Sequence, residues 1–273
     1  MLDIEFAELT DTGQQREHNE DALGHVVPAN PAEVQSQGFF FCVADGLGGH
    51  EHGEVASQLA VQTAIEGFRK IPKGVMHVSL LPRLVQEANA AVFEAGHAKS
   101  MHGPTTGASM GTTFVACALR FDSAVVSHVG DSRCYLFRNT AGPSLAQLTR
   151  DHTMAGEQLR MGLLSQEEAA TGEGRHVLTR SLGSEMFVAA DTVTVSVQPG
   201  DVLLLCTDGL HGYVNDATIR QTLQTYTDLK RAAAALVTLA NNAGGYDNVT
   251  VQLIRVRNVE RMGLYRGRPY RLL

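Results

Sequence analysis

The sequence predicts an α+β protein in which antiparallel sheets are covered on the outside by helices. Three observations predict it. Apolar, strand-like runs recur along the whole chain; helical patterns come mostly as adjacent pairs between groups of strands; and no Pro/Gly/Ser-rich linker divides the 273 residues. Strands and helices alternating one for one would instead indicate a doubly wound parallel sheet. Apolar residues make up 44% and charged residues 19%, the balance of a globular chain rather than a disordered one. The length is enough for one large domain with a sizeable core.

Residues 2–9 partly alternate, as a half-buried strand does. Residues 38–44, GFFFCVA, form a continuous apolar run, the mark of a strand buried on both faces. Residues 54–70 place Val55, Leu59, Ala60, Ile65 and Phe68 at near-helical spacing. Residues 80–98 do the same with Leu84, Val85, Ala88, Ala91 and Val92, and Pro82 suits a first helical turn. The stretch 101–111 reads as a mobile loop. Residues 112–119 and 124–137 read as a hairpin around the turn Arg120-Phe121-Asp122-Ser123. Residues 138–190 are the least strand-like and carry short helical patterns. Strict alternation returns at 191–197, followed by a turn at 198–201 and the run VLLLC at 202–206. A helix over 228–243 stops at Gly244-Gly245, and 249–256 gives a last strand.

Twenty-two Lys and Arg against 29 Asp and Glu give a net charge of −7, which argues against a non-specific nucleic-acid binder. No apolar stretch approaches the ~20 residues of a membrane span. The acidic N-terminus lacks a basic region followed by an apolar one, so the expected location is the cytoplasm. Cys42, Cys117, Cys134 and Cys206 each sit in an apolar run without a CxxC pair, as buried free thiols do.

Aspartates recur beside turn residues at the ends of apolar runs: Asp45-Gly46, Asp131-Ser132, Asp208-Gly209 and Asp247-Asn248, with the acidic pair Glu20-Asp21 upstream. One Asp-Gly is ordinarily a turn. Several converging carboxylates would repel one another unless a hard divalent cation neutralised them. Spacing alone leaves convergence open.

The ordered set Arg16-x-x-Asn19-Glu20-Asp21, Asp45-Gly46-Leu47-Gly48-Gly49-His50, Gly130-Asp131-Ser132-Arg133, Asp208-Gly209 and Asp247-Asn248 resembles the metal-dependent PP2C-type (PPM) protein serine/threonine phosphatases, bacterial branch. The resemblance runs from about residue 5 to residue 256 and implies a four-layer α-β-β-α sandwich, with two antiparallel sheets face to face and helix pairs on the outer faces. It implies a catalytic domain over 1–257, a flap at about 145–190 and a basic tail over 258–273. It also implies two Mn²⁺ or Mg²⁺ ions with a weaker third. By position, Asp45 would bridge the ions. The Gly46 carbonyl with Glu20 or Asp21 would lie on one side, Asp208 and Asp247 on the other, and Asp131 at the third ion. Arg16 would bind the substrate phosphate, so Arg16 and Asp45 would carry the reaction.

The implied reaction is hydrolysis of phosphoserine and phosphothreonine by in-line attack of a hydroxide bridging the two ions. It requires no Cys or Ser nucleophile. A divalent pair suits a phosphomonoester dianion, and a guanidinium matches phosphate geometry and keeps its charge. Where several eukaryotic members have a histidine directly after the Asp-Gly, this chain has Leu47. The general acid is a metal-bound water, His50, or none. Gly212 stands where some members carry a further aspartate. In the flap, Arg150, Asp151, His152 and Arg180 read as structural bonds, and the arginines of 255–273 as a solvated tail.

The expected partner is a phosphorylated protein substrate of a bacterial Ser/Thr kinase, met by a monomer. Two other readings stand beside it. One is a partner-switching phosphatase acting on an anti-sigma-factor antagonist. The other is a catalytically dead relative that binds phosphoproteins, against which the intact Asp45, Asp208, Asp247 and Arg16 argue.

Overall fold

The computed structural model describes residues 1–47, 52–72, 74–100, 110–265 and 268–271. One sheet has the order β1-β10-β9-β6-β7, built from β1 (Asp3–Asp11), β6 (Arg133–Arg138), β7 (Ser144–Gln147), β9 (Val202–Cys206) and β10 (Val249–Asn258). The other has the order β2-β3-β4-β5-β8, from β2 (Asp21–Val26), β3 (Phe39–Asp45), β4 (Phe114–Arg120), β5 (Ser123–Val129) and β8 (Asp191–Ser196). Every pairing within the two sheets is antiparallel.

Strand periodicity explains the layering. In β3, Phe39, Phe41 and Val43 face the opposite sheet, while Phe40, Cys42 and Ala44 face helices α2 (Gly53–Arg69) and α3 (His77–Ser100). In β9, Leu203 and Leu205 face inward, whereas Val202, Leu204 and Cys206 face α7 (Asp216–Thr225) and α8 (Leu229–Asn242). Three apolar cores therefore separate four layers. Phe40 and Phe41 have no exposed surface, and burying such a side chain contributes about 1.5–3 kcal/mol. All four cysteines are buried free thiols.

Several sequence expectations are corrected. The run 124–137 is not one arm of a hairpin. It breaks at Gly130, where φ is +98°, and its halves become β5 in one sheet and β6 in the other. β2 is not legible in the sequence because Gly24 interrupts a short run, yet α2 needs that glycine: a Cβ there would lie 2.4 Å from Ile65 Cδ1. Pro82 lies inside α3, beyond its first turn. α7 buries only Ile219, Thr222 and Leu223, a stripe too thin to read without its Asn215 cap. Two short elements, α1 (Pro31–Ser36) and β7, also escape the sequence pattern. Arg255 and Arg257 are not tail residues: they lie on β10 and pair with Glu5 across to β1. Beyond them, β11 (Met262–Tyr265) and β12 (Arg268–Arg271) pair with each other. Most of the 101–111 loop, residues 101–109, lies outside the described residues, as does His50.

Between β7 and β8 the chain leaves the sandwich as a flap. It holds α4 (Met154–Arg160), α5 (Gln166–Thr171) and a single 3-10 turn at Glu173–His176, and α4 packs against both of the others. α6 (Asp208–His211) is one short turn at the end of β9.

Candidate metal centre

Antiparallel pairing brings five chain segments to one end of the sandwich. Asp21 opens β2 and pairs in register with Asp45, which closes β3. Asp208 follows β9, Asp247 precedes β10, and Asp131 sits where the chain crosses from β5 to β6. Strands of the two sheets hold all five, so the carboxylates are fixed by the most buried part of the fold.

Asp45 is the hub. Burial pushes its carboxyl well above the usual range, and Asp21, Asp208, Asp131 and Asp247 each push it further. Burial likewise drives Asp21 up to about 7, against hydrogen bonds from Thr250 and Thr207. The Thr207 hydroxyl donates to Asp21 Oδ2 at 2.9 Å, while Oδ1 is buried with no partner among the described residues. Asp131 is also raised, by burial and then by Asp208. Burial opposes the charge of Asp208 too, but His176, His211 and a hydrogen bond with Asp45 hold its pKa below the ordinary range.

Glu20 stands closer to the rim. Burial and the neighbouring Glu54 raise it, and its carboxylate approaches Gly53, where a Cβ would lie 2.5 Å from Oε2. Gly46 is equally constrained: a Cβ would fall 2.3 Å from the Gly53 carbonyl and 2.7 Å from that of Glu20. The Asp45 carbonyl accepts from Thr112 Oγ1 at 2.7 Å and Thr113 N at 2.9 Å. Among the described residues no group donates to the Gly46 carbonyl.

Arg16 lies at the mouth, 46% exposed, and its Nη2 donates to Asp247 Oδ2 at 2.9 Å. Asn248 fixes its loop. The Asn248 amide nitrogen donates to the carbonyls of Thr12 and His18, and its oxygen accepts from Glu20 N. The sequence places Asn248 in a motif but gives it no role. It also gives no sign of Thr207 or of His176, whose Nδ1 stands 3.8 Å from Asp208 Oδ2 across from the flap. Gly212 donates its N–H to the Asp208 carbonyl at 2.8 Å, closing the turn that sends His211 to the Asp131 carbonyl at 3.0 Å.

The donor set is oxygen-rich, as hard divalent cations require, and includes one orphaned buried carboxylate oxygen, Asp21 Oδ1. The residues therefore fit such ions. The carboxylates are nevertheless spread more widely than three ligands of one ion. Among the described residues, the only trio of ligand types with donor atoms within 4.8 Å of one another is His128, His152 and Asp191. That trio is a clasp. His152 Nδ1 accepts from Gly130 N–H, which leaves the proton on Nε2. Nε2 faces Asp191, while Arg180 Nη1 stands 3.3 Å from Nε2 and 3.0 Å from Asp191 Oδ1, where a cation would have to sit. Asp151 likewise grips Arg133 through both oxygens. Asp151, His152 and Arg180 are thus structural bonds of the flap, as expected.

A cleft of about 1020 Å³ separates the flap from the centre, with Asp131, Asp208 and Tyr213 on one side and Arg150, Arg160 and His176 on the other. Among the described residues, no helix is long and apolar enough to cross a membrane.

The family model described as "Protein phosphatase 2C" matches residues 13–253. The serine/threonine phosphatase stp of Listeria innocua is 36% identical over 93% of this chain and 96% of its own length. The Mycobacterium tuberculosis serine/threonine phosphatase PstP/Ppp superposes with a TM-score of 0.79 at 31% identity, covering 94% of this chain and 100% of the other. A PstP catalytic domain in complex with 2 manganese ions gives a TM-score of 0.76 at 32% identity, with coverage of 94% and 100%.

Proposed function

The chain belongs to the protein phosphatase 2C family, whose bacterial relatives are serine/threonine phosphatases, and from this premise we propose how its site works. It hydrolyses phosphoserine and phosphothreonine in proteins, opposing a Ser/Thr protein kinase. Asp45, Asp208 and Asp247, with the Gly46 carbonyl and Asp21, would hold two Mn²⁺ or Mg²⁺ ions, and Asp131 would serve a weaker third. Glu20 lies at the rim beside Arg16. When bound, the ions neutralise the carboxylates and the phosphoryl oxygens and acidify water enough to supply hydroxide near neutral pH.

The chain's own residues do the rest. Arg16 offers paired donors to the phosphate and is already turned toward the centre by Asp247. Asn248 keeps that loop from drifting. Thr207 anchors Asp21 through one carboxylate oxygen and leaves the other free. The cysteines take no part: all four are buried, and burial raises the Cys117 thiol to about 12. Four unpaired thiols also suit a reducing, cytoplasmic setting.

The observation that carries this reading is Asp45, half-buried at the meeting point of four other carboxylates with a phosphate-suited arginine at the mouth. The test is phosphate release from a phosphothreonine peptide with Mn²⁺, with Mg²⁺ and with EDTA. Turnover should require metal and return after chelation. A folded, metal-binding protein that releases no phosphate would support the phosphoprotein-binding alternative instead.

A further inference from the structure

Tyr246 occupies the position immediately before Asp247, and its side chain is 56% exposed. Core packing does not account for a large ring left in water at the mouth of a catalytic site. The ring is nonetheless held in place. It lies against Gly244, where a Cβ would come within 2.1 Å of Tyr246 Cε2, and Gly244 and Gly245 adopt φ of +128° and +54° to make that turn. It also meets Tyr213, with ring centroids 5.6 Å apart and planes 32° apart. Tyr213 in turn lines the cleft under the flap. The Gly245 carbonyl accepts from Gln14 N at 2.8 Å and Gln15 N at 3.1 Å, tying this turn to the loop that carries Arg16. The aromatic pair and the arginine therefore belong to one rigid unit.

We propose that Tyr246 and Tyr213 form a shelf for the residue next to the phosphorylated one, and that the shelf selects an apolar ring, proline or aromatic. This rests on the phosphatase reading above. The residue next to a phosphothreonine has its Cα about 3.8 Å from that of the phosphothreonine, so with the phosphate at Arg16 it passes close to the ring fixed beside Asp247. Tyrosine faces bind proline and aromatic rings by close apolar contact. A basic residue could also stack on the ring, but Arg16 stands on the same unit and repels it.

The experiment uses the whole, Mn²⁺-loaded protein and phosphothreonine peptides that differ only beside the phosphothreonine: proline, phenylalanine, glycine or lysine, on either side. In the wild type, kcat/KM for the proline or phenylalanine peptide should exceed that for the glycine peptide by about three- to tenfold. Tyr246→Ala should bring that ratio close to one, and Tyr246→Phe should keep it. A wild-type ratio near one, a preference for lysine, or a ratio that survives Tyr246→Ala overturns the shelf while leaving the phosphatase standing. No phosphate from any peptide overturns the phosphatase reading, and the shelf with it. Tyr246 is exposed, so its variants should fold, and a melting curve for each checks this.

Discussion

Replacing Asp21 by asparagine tests whether the carboxylates are held together against their own repulsion. Asp21 is 8% exposed and its pKa is pushed from 3.8 to about 7. A carboxyl with a raised folded-state pKa keeps its proton where the unfolded chain has lost it. The stability this lends is complete below 3.8 and is lost as pH rises through about 7. A gap of roughly three pH units corresponds to about 4 kcal/mol at most, the load carried by the metal-free protein at neutral pH. In Asp21→Asn the amide would keep an oxygen for the Thr207 hydroxyl and carry no charge. In EDTA at pH 7.5 the variant should melt about 5–10 °C above the wild type, and near pH 4 the two should converge. Manganese should reverse the order, because cation binding stabilises the wild type by mass action and, on the proposed assignment, the variant has lost a ligand. Circular dichroism melts, with calorimetric titration of Mn²⁺, read both effects. Superimposed melting curves in EDTA at pH 7.5, or a variant less stable than the wild type there, would refute the reasoning.

Other outcomes follow from the same geometry. Asp208→Asn should retain the fold, bind less Mn²⁺ by calorimetry and lose at least about a hundredfold in kcat, since it removes a charge that faces Asp45 directly. Arg16→Ala should raise KM for a phosphopeptide roughly tenfold or more, as expected for losing a charged hydrogen bond of about 1.5–3 kcal/mol, with a smaller change in kcat. Asp191→Asn should leave Tm within about 2 °C, because the Arg180 pair is substantially exposed, but should speed proteolytic cleavage within residues 154–176. His77 is buried against the Gln37 carbonyl with its pKa lowered, chiefly by burial, from 6.5 to about 4. Its neutral form belongs to the folded state, so stability should be full above 6.5 and fall as pH drops toward 4. Urea titrations of the Mn²⁺-saturated protein should show that slope, shallower in His77→Gln.

Legibility in the sequence follows how strongly burial dictates residue type. β3 and β9 are buried on both faces, so almost every position is apolar and the runs announce themselves. α8 is equally plain, with a broad buried stripe and two glycines of positive φ to end it. β2 and α7 are hidden because one carries a glycine required by a neighbouring helix and the other buries only three side chains. The break at Gly130 is hidden for a different reason. β5 and β6 are both apolar, and only the backbone shows that the chain changes sheets between them. At the site, the aspartates are legible as chemistry because each stands out against an apolar run. Asn248, Thr207 and His176 are not, since their roles depend on partners 186 or more residues away, or across the flap.

That contrast bears on how such a site can change its substrates without losing its reaction. The carboxylates sit at the ends of strands whose side chains are almost wholly buried, so moving one means repacking a core, at several kcal/mol. The flap is tied to β8 by a half-exposed pair, Arg180 with Asp191, contributing about 1 kcal/mol or less. Tyr246 is held by backbone turns and leaves its ring in solvent. A substitution at Tyr246 or on the flap surface therefore alters what would meet a peptide while the carboxylates stay where the sheets put them. The parts with the least sequence signal are those whose alteration costs the fold least, and they surround a centre the fold holds rigid.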